Sequence, residues 1–111
     1  MPQPIEVAPR ELKQRIDNGE KIHLLDCREP FEYQQARIEG AELIPMRAIP
    51  ASLQEIKIKS EEMPVVVYCH HGMRSLQVAN WLREHGVDNC SSLAGGIDLW
   101  SSEIDPKVPR Y

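Results

Sequence analysis

Along this chain, short apolar runs ending in charged or small residues alternate with stretches whose apolar positions recur every three or four residues. The first pattern predicts strands and the second helices. Ile5-Glu6-Val7 is a short first strand at a sheet edge. Pro9 suits the first position of a helix, Leu12 and Ile16 lie one turn apart, and Gly19 stops it. Residues 21–27 form a second strand whose apolar centre ends on Asp26 and Cys27. Arg28-Glu29-Pro30 turns the chain, and Pro30 opens a short helix reaching Ala36. Gly40 breaks the chain before a third strand over 41–44, which Pro45 ends. Residues 49–58 are the least defined; Leu53, Ile56 and Lys57 fit a helix with Ser52 or Pro50 near its start.

Pro64-Val65-Val66-Val67-Tyr68 is an apolar, β-branched run and predicts a fully buried fourth strand. A helix over 75–85 follows and closes on Gly86. Residues 90–93 form a fifth strand, Ala94-Gly95-Gly96 ends it, and a last helix starts with Ile97. Residues 106–111 contain two prolines and read as a C-terminal tail, frayed or draped over the domain. Alternating strands and helices predict an α/β domain with a mainly parallel sheet. Such sheets bind ligands beyond the carboxyl ends of their strands. Asp26-Cys27-Arg28, the stretch from Cys69 to Arg74, and Gly95-Gly96 all fall at strand ends and converge on one crevice.

Composition narrows the class. The 111 residues suit one domain over 1–111. The formal net charge of −4, without a Lys/Arg cluster, argues against nucleic acid as a partner. No apolar run approaches the roughly 20 residues of a membrane span, so no membrane partner is expected. Met1-Pro2-Gln3-Pro4 lacks the basic-then-apolar order of a signal peptide, and a cytoplasmic location is the default. The odd count of three cysteines, Cys27, Cys69 and Cys90, speaks against a disulfide framework and for a reducing compartment. These cysteines also lack the short paired spacing of structural zinc sites, so no metal or other cofactor is expected.

The candidate chemistry lies between Tyr68 and Ser75. A strand, a tight loop and a helix start make a cradle of backbone N–H groups with the positive end of a helix dipole behind it. Cys69 stands at the strand end, where such a setting turns a thiol into a thiolate. Gly72 lets the loop turn with its amides inward, and Arg74 offers a permanent charge suited to an oxyanion. His70 and His71 cannot both face the sulfur from an extended loop. One could be a charge partner or acid, and the other a solvated loop residue.

These residues carry a resemblance. Residues 24–33, Leu-Leu-Asp-Cys-Arg-Glu-Pro-Phe-Glu-Tyr, resemble the first signature of the single-domain rhodaneses, which are thiosulfate sulfurtransferase-like proteins. Ala36-Arg37-Ile38-Glu39-Gly40-Ala41 with Ile44-Pro45 resembles the family's Gly-His-Ile-x-Gly-Ala segment. Residues 66–75 resemble its active-site loop, and Leu93-Ala94-Gly95-Gly96 with Trp100 resembles its closing motif. The resemblance implies a five-stranded, mainly parallel sheet with helices on both faces. It implies that Cys69 takes sulfane sulfur from a small donor such as thiosulfate, holds it as a persulfide, and hands it to cyanide or a thiol. His70, His71, Gly72, Met73 and Arg74 would line the substrate site, with Arg74 on the sulfonate. Asp26, Arg28 and Ser75 would support it; the plain alternative for Asp26 and Arg28 is a surface ion pair.

Arg37 and Ala36 depart from the family's histidine and glycine, and Cys27 stands where valine is common. Cys27 reads as packing or, alternatively, as a resolving thiol. Two other functions compete. A sulfur carrier or partner-binding module with a protein acceptor would share the chemistry up to the acceptor. A cysteine phosphatase or arsenate reductase resembles Cys-x5-Arg, whereas only four residues separate Cys69 from Arg74 here, which argues for sulfur.

Overall fold

The computed structural model describes residues 4–111; Met1, Pro2 and Gln3, part of the segment read as unlike a signal peptide, lie outside them. Among the described residues five strands form one sheet: β1 (Glu6–Val7), β2 (His23–Asp26), β3 (Glu42–Leu43), β4 (Val65–Tyr68) and β5 (Cys90–Leu93). Their order is β1-β5-β4-β2-β3, and each of the pairings is parallel. The sheet is therefore parallel throughout, and the reading of a mainly parallel sheet holds. Four α-helices connect the strands, α1 (Pro9–Asp17), α2 (Pro30–Gln35), α3 (Leu53–Ser60) and α4 (Met73–Glu84), and α5 (Gly96–Glu103) follows β5.

β4 is central and has no exposed side chain; Val65, Val66, Val67 and Tyr68 are each fully buried. Burial on both faces requires the continuous apolar run seen in its sequence. The strand pleat sends alternate residues to opposite sides. Val65, Val67 and Cys69 join Leu25, Cys27, Ile56, Val78 and Leu82 in one core, under α3 and α4. Val66 and Tyr68 join Leu12, Leu24, Ile97 and Trp100 in the other, under α1 and α5. Each fully buried Val or Leu contributes on the order of 2 kcal/mol to this packing. Crossovers on both sides bring the carboxyl ends of β2, β4 and β5 to one edge.

Several boundaries differ from the sequence expectation. α4 begins at Met73, two residues earlier than read, because Gly72 takes the left-handed conformation (φ 104°) and turns the chain straight into the helix. The undefined segment before α3 consists of two 3₁₀ turns, Met46–Ala48 and Pro50–Ser52. The tail is draped rather than frayed. Arg110 pairs with Asp98 at 3.0 and 3.2 Å, and the Ser101 hydroxyl donates to the Val108 carbonyl. No helix among the described residues is long and apolar enough to cross a membrane.

Candidate active site

Cys69 directly follows β4 and is buried. Its Sγ accepts the backbone N–H of Gly72 at 3.1 Å and that of Ser75 at 3.3 Å, and contacts the Ser75 hydroxyl at 3.4 Å. Ser75 is itself held by Ser92 of β5 at 2.8 Å and by the Gly72 carbonyl at 3.3 Å. The amides that reach the sulfur belong to the loop and the first turn of α4, where the helix end carries positive partial charge.

The loop amides face inward because the loop carbonyls are held outward. Ile97 and Asp98, at the start of α5, donate their N–H groups to the carbonyls of Cys69 (2.9 Å) and His70 (3.1 Å). That contact requires Gly96: a Cβ there would run into both carbonyl oxygens, and its φ of +61° also disfavours a side chain. Gly72 also approaches closely, though less so, with Gly95 N 3.2 Å from where its Cβ would stand. The Gly95-Gly96 pair is thus a backbone-to-backbone seat for the cysteine loop.

A polar chain, buried at Asp26, Arg28 and Glu32, braces the other side. Asp26 Oδ1 accepts from the Arg28 backbone N–H (3.0 Å) and Nε (2.8 Å), and Asp26 Oδ2 from Nη2 (2.6 Å). Both side chains are wholly buried, so this is not the surface ion pair considered as the alternative. Arg28 also donates to the Ala36 carbonyl and the Tyr111 hydroxyl, each at 2.6 Å. Tyr111 in turn donates to Glu32 Oε2 at 2.8 Å. Glu32 pairs with both outer nitrogens of Arg74, at 2.8 and 3.0 Å. The Arg74 guanidinium expected on the substrate sulfonate is therefore engaged by Glu32, and it ties α4 to α2. That pair, a second hydrogen bond from the Glu29 N–H and the Tyr111 hydroxyl hold the Glu32 carboxyl down to about 2 against the cost of burial.

The two histidines stack on each other with ring centroids 4.0 Å apart, and His70 stacks on Tyr111 at 4.1 Å. Burial and the neighbouring His71 push the His70 pKa down. His71 lies largely in solvent, and its Nε2 is 3.8 Å from Asp98. The ligating atoms of His70, His71 and Asp98 lie within 4.8 Å of one another, but Asp98 already holds Arg110. The Met73 side chain is exposed, leaving its backbone as the part nearest the loop.

Cys27 stands beside Cys69. Asp26 pairs with Tyr68 across the parallel ladder, so the next residues of the two chains, Cys27 and Cys69, are neighbours. Cys27 N donates to the Tyr68 carbonyl at 3.1 Å and its Sγ lies 3.5 Å from that oxygen. The neighbouring Cys27 thiol and the hydrogen bonds from Ser75 and Gly72 outweigh burial and lower the Cys69 pKa to about 4. Cys27 moves the opposite way, pushed up by the neighbouring Cys69 sulfur and by burial. The charge sits on Cys69 because the amides point at that sulfur. Cys90, pushed up to about 12 by burial, stands at the far end of β5 opposite Val65 and is a core residue.

The sequence reading did not include Glu32 or Tyr111. A partial signal for Glu32 existed: Pro30 at the helix start puts Glu32 in the first turn, where its carboxylate takes the Glu29 N–H at 3.1 Å. Nothing local signals its bond to Arg74, 42 residues on.

The molecule is thus a parallel α/β domain that presents a buried cysteine sulfur in a cradle of backbone amides. Residues 8–103 match the rhodanese-like domain, and the chain belongs to that family. It is 35% identical over 103 residues to a sulfurtransferase of Allochromatium vinosum, covering 93% of this chain and 94% of that one. It is 32% identical to the thiosulfate sulfurtransferase GlpE of Pseudoalteromonas translucida, over 82% of this chain and 84% of that one. The human single-domain sulfurtransferase TSTD1 superposes with a TM-score of 0.78 at 25% identity, over 91% of this chain and 98% of that one. Other relatives are longer: the chain spans 26% of the length of a probable adenylyltransferase/sulfurtransferase, MoeZ, of Mycobacterium tuberculosis, at 32% identity.

Proposed function

We propose that the protein transfers sulfane sulfur from thiosulfate or a similar donor to a thiol or cyanide through a persulfide on Cys69. The Cys69 thiolate attacks the outer sulfur of the donor and sulfite leaves. The acceptor then attacks the outer sulfur of the persulfide, and Cys69 departs as a thiolate. Low basicity makes it a good leaving group, and the amides of Gly72 and Ser75 stabilise the anion before and after each transfer. Arg74, half exposed at the rim, keeps its charge beside the path of an anionic donor. The supporting observation is the pair of N–H bonds to Cys69 Sγ at 3.1 and 3.3 Å.

Phosphate transfer is disfavoured on the same residues. A tetrahedral dianion needs more N–H groups than the short loop supplies and a free guanidinium fork. Both outer nitrogens of Arg74 lie on Glu32. Incubation with thiosulfate should add one sulfur atom to the intact chain, and Cys69→Ser should abolish the adduct. An unmodified wild-type mass, or an adduct retained by the serine variant, would overturn the reading. A persulfide that discharges to a protein thiol but to neither cyanide nor small thiols would assign the carrier role instead.

A further inference from the structure

We propose that Cys27 is a resolving thiol, which closes onto persulfidated Cys69 and releases the bound sulfur as sulfide. This gives the domain a second activity, the reduction of sulfane sulfur, and it rests on the persulfide reading of Cys69. Cys27 is a buried nucleophilic side chain that the transfer mechanism does not use. It follows β2 as Cys69 follows β4, and the ladder residues immediately before them, Asp26 and Tyr68, are paired. Neighbouring parallel strands lie about 4.8 Å apart. A disulfide spans Cα separations of about 4.4–6.8 Å, so no large backbone movement is needed to join the pair. Both side chains point to the same core, under α3 and α4. The Cys27 N–H and Sγ both lie on the carbonyl of Tyr68, the residue just before Cys69, which holds the two thiols side by side at the strand ends.

The step balances without an outside oxidant. Cys27 Sγ bonds to Cys69 Sγ while the bond between Cys69 Sγ and the outer sulfur breaks. The outer sulfur takes both electrons of that bond and the Cys27 proton, and leaves as hydrosulfide. The two cysteine sulfurs are oxidised to a disulfide, and the sulfane sulfur is reduced to sulfide. An external dithiol then restores both cysteines. Cys90 cannot substitute, because it pairs with Val65 at the opposite end of the sheet.

The test loads reduced protein with thiosulfate, removes the donor, and follows intact mass, trapped sulfide and the disulfide peptide map. Wild type should gain one sulfur atom, then lose it and two hydrogens, releasing about one sulfide per chain. The disulfide should map to Cys27 and Cys69. In Cys27→Val and Cys27→Ser the persulfide should live at least about tenfold longer and yield no disulfide. Cys90→Ser should behave as wild type, which separates loss of the resolving thiol from loss of a buried cysteine. A wild-type persulfide that persists, or sulfide release without the Cys27–Cys69 peptide, overturns this inference and leaves the transfer reading standing. Failure of any chain to take up sulfur overturns both.

Discussion

At the scale of the residue, the site is governed by where each proton rests. Cys69 is held at about 4 by the adjacent Cys27 thiol and by the Ser75 and Gly72 groups bonded to its sulfur. Alkylation of Cys69 by iodoacetamide should therefore be nearly flat from neutral pH to about 5 and fall about tenfold per pH unit below about 4. Cys27→Val removes the neighbouring thiol and should move the midpoint toward neutrality; an unmoved midpoint would leave the groups of Ser75 and Gly72 as the whole cause. Glu32 is the second case. Its folded pKa of about 2 lies below its ordinary 4.5, so the stability it contributes is complete above about 4.5 and is lost as the pH falls toward 2. At about 1.4 kcal/mol per pKa unit, this is on the order of 3 kcal/mol. Glu32→Gln should flatten that part of the stability profile, measured by urea unfolding between those pH values.

At the scale of the element, the cysteine loop depends on the helix that closes the opposite strand. α5 donates its first N–H groups to the loop carbonyls of Cys69 and His70, and only a glycine at position 96 permits the approach. Gly19 makes a useful contrast, since it has a φ of +85° with nothing within 4 Å of where a Cβ would stand. Gly19→Ala should cost about 1 kcal/mol for the backbone conformation alone. Gly96→Ala should cost about 3 kcal/mol or more by adding a backbone clash, and should reduce sulfur uptake more steeply than stability. Equal losses at the two positions would mean the close approach is unimportant. This contrast also marks what could be read beforehand. The strands, Cys69 and the double glycine are local patterns and were legible. The two-residue error at the start of α4 arose because Gly72 begins that helix by its backbone conformation, with no Ser, Thr, Asp or Asn signal to read. For Cys27 the sequence offered both packing and a resolving thiol near Cys69 and could not choose, because register between β2 and β4 is a property of the assembled sheet.

At the scale of the whole molecule, one polar chain joins parts far apart in sequence into one frame: Asp26 at the end of β2, Arg28 just after it, Glu32 in α2, Arg74 in α4 and Tyr111 in the tail. Tyr111 is the link a sequence pattern could least reveal, since its segment of prolines and charges reads only as a tail, frayed or draped. Its pKa is raised to about 12 by burial, so the hydroxyl stays protonated and donates to Glu32 while accepting from Arg28. Removing it leaves a donor on the buried Arg28 without its partner. Tyr111→Phe should therefore cost about 1–3 kcal/mol, the range for a buried group left unpaired beside a charge. The ring remains stacked on His70 in that variant, so the loop should keep its protection from amide exchange at Gly72. Deleting residues 106–111 removes hydroxyl, ring and the Arg110–Asp98 pair together, and should lower stability further and expose the loop amides to exchange. If the deletion and Tyr111→Phe both unfold within about 0.5 kcal/mol of wild type, the frame closes without the tail, and the Arg74–Glu32 pair alone holds α4 to α2.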